Sequence, residues 1–136
     1  MSVITRNNFG AIAVNKVVIE RMIIEDMLGM DDVLVLSNKK GKPIKDKPTP
    51  FIDPDYFDAV EVSEKKGEVR VKIYVVVRYG TNISEIADRV MDSVESDFKM
   101  LRLGMPRSIS VKVRGIDGLV GDEIVKRNID IVRNNA

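Results

Sequence analysis

Val69-Arg70-Val71-Lys72-Ile73-Tyr74-Val75-Val76-Val77-Arg78-Tyr79-Gly80, a helical segment from Asn82 to about Leu101, and Ser108-Ile109-Ser110-Val111-Lys112-Val113-Arg114-Gly115-Ile116 spell out a strand, a helix and a second strand. In the first piece Val69, Val71, Ile73, Val75, Val77 and Tyr79 share one face of a period-two strand and belong in a core. Arg70, Lys72, Tyr74, Val76 and Arg78 share the other face. Asn82 stands where a helix cap belongs, with Glu85 three residues on, so each side chain can satisfy a free amide of the first turn. Ile83, Ile86, Ala87, Val90, Met91, Val94, Phe98 and Leu101 then recur at helical spacing until Gly104 and Pro106 end the run. In the closing strand Ile109, Val111 and Val113 point inward and Ser110, Lys112 and Arg114 outward.

Working outward, the chain repeats this plan once upstream. Phe9-Gly10-Ala11-Ile12-Ala13-Val14 reads as a strand, Asn15 as the cap of a helix to about Leu28, and Gly29 as its stop. Val17, Val18, Ile19, Met22, Ile23, Ile24, Met27 and Leu28 give that helix a broad apolar face, with Lys16, Glu20, Glu25 and Asp26 as its wet side. Val33-Leu34-Val35-Leu36 has strand length. Asn38 to Asp58 carries Lys39, Lys40, Lys42, Lys45 and Lys47 among its prolines, shows no period, and reads as an insertion or mobile arm. Phe51, Tyr56 and Phe57 would pin its return to the body. Ala59 to Glu64 alternates like an edge strand, and Lys65-Lys66-Gly67-Glu68 turns it into the long strand.

Two strand–helix–strand units joined by a hairpin predict an α+β two-layer sandwich, ferredoxin-like in the order β-α-β-(β)-β-α-β. Residues 1–116 would form one domain with 38–58 as its insertion. Residues 117–136 read as a C-terminal tail holding a short helix, with Asp122 and Glu123 in its first turn and Arg133 near its end. Laid on the second sheet face, that helix would bring Asp122, Glu123 and Asp130 to the bases there.

Composition removes whole classes of chemistry. The 22 Lys and Arg nearly balance the 21 Asp and Glu, so no global field favours a polyanion. There is no Cys for disulfides or thiol chemistry and no His, the commonest general base and transition-metal ligand. No Gly-rich phosphate loop follows a strand, and no cofactor or metal is expected. The N-terminus lacks a signal-peptide core, and the longest apolar run falls far short of the roughly 20 residues of a spanning helix. A soluble cytoplasmic protein is the expectation.

What remains is surface. Arg70, Lys72, Tyr74, Arg78, Lys112 and Arg114 line the second sheet face, and Lys39, Lys40, Lys42, Lys45 and Lys47 form a basic cluster beside them in sequence. Glu85, Asp88, Asp92 and Glu95 fall on one side of the second long helix at spacings that could present oxygens to a divalent cation. Arg89 and Lys99 next to them make a solvated helix face the better reading. Gly115 to Gly118 and Gly118 to Gly121 match a spacing that clamps nucleotide backbones, but only between two helices, and the first match ends a strand. Tyr74 is a single aromatic on the basic face, so nucleic acid ranks behind a protein as partner.

The stretch from Val71 through Tyr79-Gly80-Thr81-Asn82-Ile83-Ser84-Glu85-Ile86-Ala87 to Val90 resembles the bacterial alkaline shock protein family, also called the Gls general-stress family. Those proteins carry an apolar strand ending in Tyr-Gly, then Asn-Ile, then a helix with Ala and Val at these offsets. Val111-Lys112-Val113-Arg114-Gly115-Ile116 and Gly10-Ala11-Ile12-Ala13-Val14 fit as well, so the likeness spans most of residues 9–116. Gly29-Met30-Asp31-Asp32, the lysine-rich insertion and the tail after Ile116 depart from it. The resemblance implies a small cytoplasmic, non-enzymatic protein linked to envelope stress, which self-assembles into a homo-oligomer. It also implies a protein partner, either a membrane protein that brings it to the membrane or an enzyme of lipid metabolism. No catalytic residues come with it.

Overall fold

The computed structural model describes residues 2–7, 10–44, 54–121 and 123–135, with side chains from Asn15 onward. Its elements are β1 (Ser2–Asn7), β2 (Gly10–Asn15), α1 (Lys16–Leu28), β3 (Leu34–Leu36), a 3₁₀ turn (Pro54–Asp58), β4 (Val60–Lys65), β5 (Glu68–Arg78), α2 (Ile83–Met100), β6 (Ser108–Val120) and β7 (Glu123–Asn134). β5 is central. Its parallel partner β6 lies on one side, while β4 and then β3 pair antiparallel along successive parts of its other side. β7 pairs antiparallel with β6 and is last in the sheet order.

Side-chain period explains the layering. Val69, Val71, Ile73, Val75 and Val77 of β5 join Val60 and Val62 of β4, Leu34 and Leu36 of β3, and Ile109, Val111 and Val113 of β6 in one apolar cluster. Both helices lay their stripes on it: Ile19, Ile23, Ile24 and Met27 from α1, and Ile86, Ala87, Val90, Met91, Val94 and Phe98 from α2. Each side chain fully buried there contributes about 1.5–3 kcal/mol. Both N-cap asparagines are those the sequence predicts, but of the α2 capping pair only the Asn82 half forms, with no bond from the Glu85 side chain among the described residues. Asn15 Oδ1 accepts from the Val17 amide at 2.9 Å, and Asn82 Oδ1 from the Glu85 amide at 3.2 Å. The α+β two-layer sandwich therefore forms as expected.

Several finer expectations are corrected. The tail from 117 is no helix: β6 runs on to Val120 and β7 returns along it, so residue 116 marks no boundary. Ile129 and Ile131 alternate with Asp130 and Val132, a period-two pattern rich in β-branched residues that suits a strand. β2 does not join the main sheet but pairs with β1 in a separate hairpin. The side of β5 left open by β6 is already filled by β3 and β4. The start of the lysine-rich segment is no mobile arm. Ser37 bridges Pro43, and the amides of Lys40 and Lys42 both donate to Asn38 Oδ1 at 2.9 and 3.0 Å, which closes a tight turn. Tyr56 is buried and Phe57 packs on the core, as their anchoring role requires; Lys45, Lys47, Phe51 and Asp122 lie outside the described residues.

Two side chains change sides. Tyr79 sits just past the end of β5 and is 63% exposed, while Glu20 is buried. The Glu20 carboxylate meets the Val62 backbone amide on β4, and burial nonetheless raises its pKa. Val17 and Val18 of α1 take the exposed positions instead.

Candidate functional site

The sheet face away from the helices is where the sequence places its bases, and the register arranges them. Tyr74 on β5 faces Lys112 on β6, which faces Asp130 on β7. Between Val113 and Gly115 the ladder skips Arg114, so the strand bulges and carries that side chain over the ring of Tyr74, 5.7 Å from its centroid. Arg114 and Lys112 both reach the Asp130 carboxylate, at 3.0 and 3.3 Å. Partial burial pushes the Asp130 pKa up, but the hydrogen bonds and charges of Lys112 and Arg114 outweigh it and hold the carboxyl below its ordinary value.

This face is not wet throughout. Tyr74 is 7% exposed beneath Arg114, and Val76 is fully buried. Gly115 makes that possible, because Ile124 and Val76 close over the place where a Cβ would stand, at 2.6 and 3.5 Å. The lysine turn folds back onto the sheet as well. Gly41, with φ of 88°, brings its backbone against Arg114, leaving 3.0 Å between a would-be Cβ and the Arg114 carbonyl oxygen.

Between the lysine turn and β7 lies a broad open hollow of about 500 Å³, lined by Lys39, Lys40, Arg114, Lys126, Arg127 and Asn128. Lys39 reaches Glu61 at 3.9 Å and Arg114 is held by Asp130, whereas Lys40 and Lys126 form no ion pair among the described residues. The hollow offers positive charge to an anion.

The other expected residues lie elsewhere. Arg70 pairs with Glu68 at 3.1 Å, and Lys72 faces Glu61 across the β4–β5 ladder. Arg78 turns to the far end of the sheet, donating to the Asp31 carbonyl at 2.8 Å and to Asp117 at 3.2 Å. Lys42 has no part in the lining. Lys126, Arg127 and Asn128 escape a reading of the sequence because their segment also fits a helix; the alternation that follows them is the available signal.

The acidic side of α2 is also accounted for. Arg133 of β7 reaches Asp92 at 2.9 Å, Asp88 at 3.3 Å, and Glu95. The hydrogen bond to Asp92, with Glu95 adding to it, raises the Arg133 pKa and keeps the guanidinium charged. Among the described residues no group of three acidic, His or Cys side chains is placed to hold a metal ion. No described helix is long and apolar enough to cross a membrane.

Compared with known proteins, residues 5–118 match the model of the alkaline shock protein family, described as of cell envelope-related function. The chain is also similar to the uncharacterized protein YloU of Bacillus subtilis (strain 168), 25% identical over 117 residues, covering 85% of this chain and 96% of that protein. No solved structure matches the chain. The matched region ends at the tip of β6, so β7 with Lys126, Arg127, Asn128 and Arg133 lies beyond it.

Proposed function

The chain belongs to the alkaline shock protein family, and from that membership we propose that it is a non-enzymatic adaptor that self-associates and binds a protein partner at the cell envelope. The observation that carries this reading is the basic hollow, in which Lys40 and Lys126 stand without ion-pair partners among the described residues. Backbone turns and strand register hold its bases close together, while the exposed side chains among them stay free to reach an anion. Such a surface suits an acidic segment of a partner protein. The lining brings together bases and one amide, and the chain has no His to serve beside them as general base and no Cys as thiol nucleophile.

The test is partition between cell fractions. The parent should co-sediment with envelope membranes and be released when exposed membrane proteins are digested by protease. Combined Lys40→Glu and Lys126→Glu substitutions should abolish that association. Equal binding of parent and variant, or undiminished binding to protein-free vesicles, would overturn the reading.

A nucleic-acid module is the second reading, since the same cations suit a phosphodiester backbone. Against it, the Tyr74 ring is covered by Arg114, so that aromatic is not free to stack on a base. A salt-dependent gel shift with RNA would favour this alternative.

A further inference from the structure

β7 ends the sheet with its outer edge unpaired among the described residues. The opposite side is closed differently: α1 packs along β4, and Glu20 from α1 meets the Val62 amide. A strand twelve residues long with a free edge is a template for another strand. The sequence of this one names its partner.

We propose that β7 pairs antiparallel with β7 of a second copy, about a two-fold axis through Asn128, extending the two sheets into one. This deepens the self-association in the reading above and rests on it. With the axis at Asn128, Glu123 faces the partner's Arg133 and Lys126 faces the partner's Asp130. Ile124 faces the partner's Val132, Val125 the partner's Ile131, and Arg127 the partner's Ile129. Every charge opposite a charge is of the other sign, and two of the remaining pairs are apolar on both sides. Because the axis is two-fold, each of these pairs occurs twice.

The register is specific. Moving the axis to Arg127 would set Ile124 against the partner's Asp130, and moving it to Ile129 would set Val125 against the partner's Arg133. The monomer leaves one charge of each proposed pair available. Glu123 and Lys126 have no ion pair among the described residues, while Asp130 and Arg133 are already held in place by Lys112, Arg114 and the acids of α2. The pairing also gathers like charges: Arg127 lies diagonal to its own copy, Lys126 joins the Lys112 and Arg114 that hold Asp130 on the other copy, and Glu123 joins the three α2 acids that hold its Arg133. In this assembly the two basic hollows meet along the seam, since Lys126, Arg127 and Asn128 line each of them.

The absence of Cys from the chain makes the test direct. In the proposed register Asn128→Cys places two thiols opposite each other, within the span of a disulfide, and mild oxidation should convert the protein to covalent dimer. Lys126→Cys, on the same face, would hold its two thiols about 13 Å apart along the ladder and should stay uncrosslinked. Sedimentation equilibrium supplies the second measurement. Glu123→Lys and Lys126→Glu each create two like-charge pairs and should weaken the dimer by about tenfold, without removing any ion pair of the monomer among the described residues.

A dimer that crosslinks equally at both positions, or ignores both reversals, overturns the β7 interface and leaves self-association through another surface standing. A chain that stays monomeric at every concentration overturns the interface and the self-association together.

Discussion

The Asp97 carboxyl of α2 lies against that of Asp26 on α1, and the Oδ2 atoms of both are buried without a hydrogen-bond partner. One proton shared between the two satisfies this arrangement, with the protonated carboxyl donating to the other. Burial first, and the neighbouring Asp26 next, push the Asp97 pKa up to about 8 from an ordinary 3.8.

A pH dependence follows. Between those two values the folded chain holds a proton that the unfolded chain releases. The stability contributed by protonated Asp97 is therefore fully present below the ordinary value of 3.8 and is lost as pH rises through about 8. Asp97→Asn should flatten this decline and leave the variant more stable than the parent by roughly 1–3 kcal/mol at about pH 9. Denaturant melts across the range read it, and a parent profile flat from mild acid to mild alkali would count against the assignment.

Gly115→Ala adds a methyl 2.6 Å from Ile124 Cγ2 and 3.3 Å from the Val125 carbonyl oxygen. The clash falls where β7 must close on β6, and the cost should be about 1–3 kcal/mol. Chemical denaturation measures it, and a neutral result would mean that Ile124 moves aside freely.

Gly41→Ala should act on binding more than on the fold. The residue has a left-handed φ of 88° and presses on the Arg114 backbone, so alanine is strained there and pushes the lysine turn off the sheet. A stability loss of about 1–2 kcal/mol is expected. Affinity for an acidic peptide probe should fall along with it, because Lys39 and Lys40 leave the hollow. An unchanged affinity would detach the lysine turn from the site.

Arg133→Ala removes the cation shared by Asp88, Asp92 and Glu95. The outer acids are well exposed, so solvent screens much of the attraction, and a loss of about 0.5–1.5 kcal/mol is expected. That loss should shrink in high salt. A salt-independent loss would point to packing of the arginine stem instead.

The parts of this molecule legible in sequence are those where a single period runs long. β5 alternates over most of its length and α2 carries both a capping asparagine and an apolar stripe, so β5 up to Arg78, α2, and β6 as far as Ile116 read as they fold. The burial of Val76 and the run of β6 on to Val120 do not show in the sequence. β7 reads wrongly as a helix because Ile124, Val125, Ile129 and Val132 also approximate one side of a short one, and only the pairing with β6 decides between the two. Asp130 meets the bases either way, but it does so as the neighbouring strand position and not from a helix laid across them. Glu20 illustrates a different gap. Its place among polar residues suggests solvent, and the Val62 amide that receives it comes from a strand about forty residues later in the chain. The hollow is half visible for the same reason: its lysines are plain in the sequence, whereas Lys126 and Arg127 reach it only through a register between distant segments.

Following β6 in the chain gives β7 one more consequence. During synthesis β6 is complete before β7 has left the ribosome, and until then β6 is the raw edge of the sheet, with Ile109, Val111 and Val113 beside it. A chain halted at Asp117 would keep that edge bare and lose Arg133, the tie between the final strand and α2. Such a fragment should aggregate where the finished protein does not. The twelve residues of β7 thus act as the sheet's own chaperone, covering the β6 edge as soon as they pair along it.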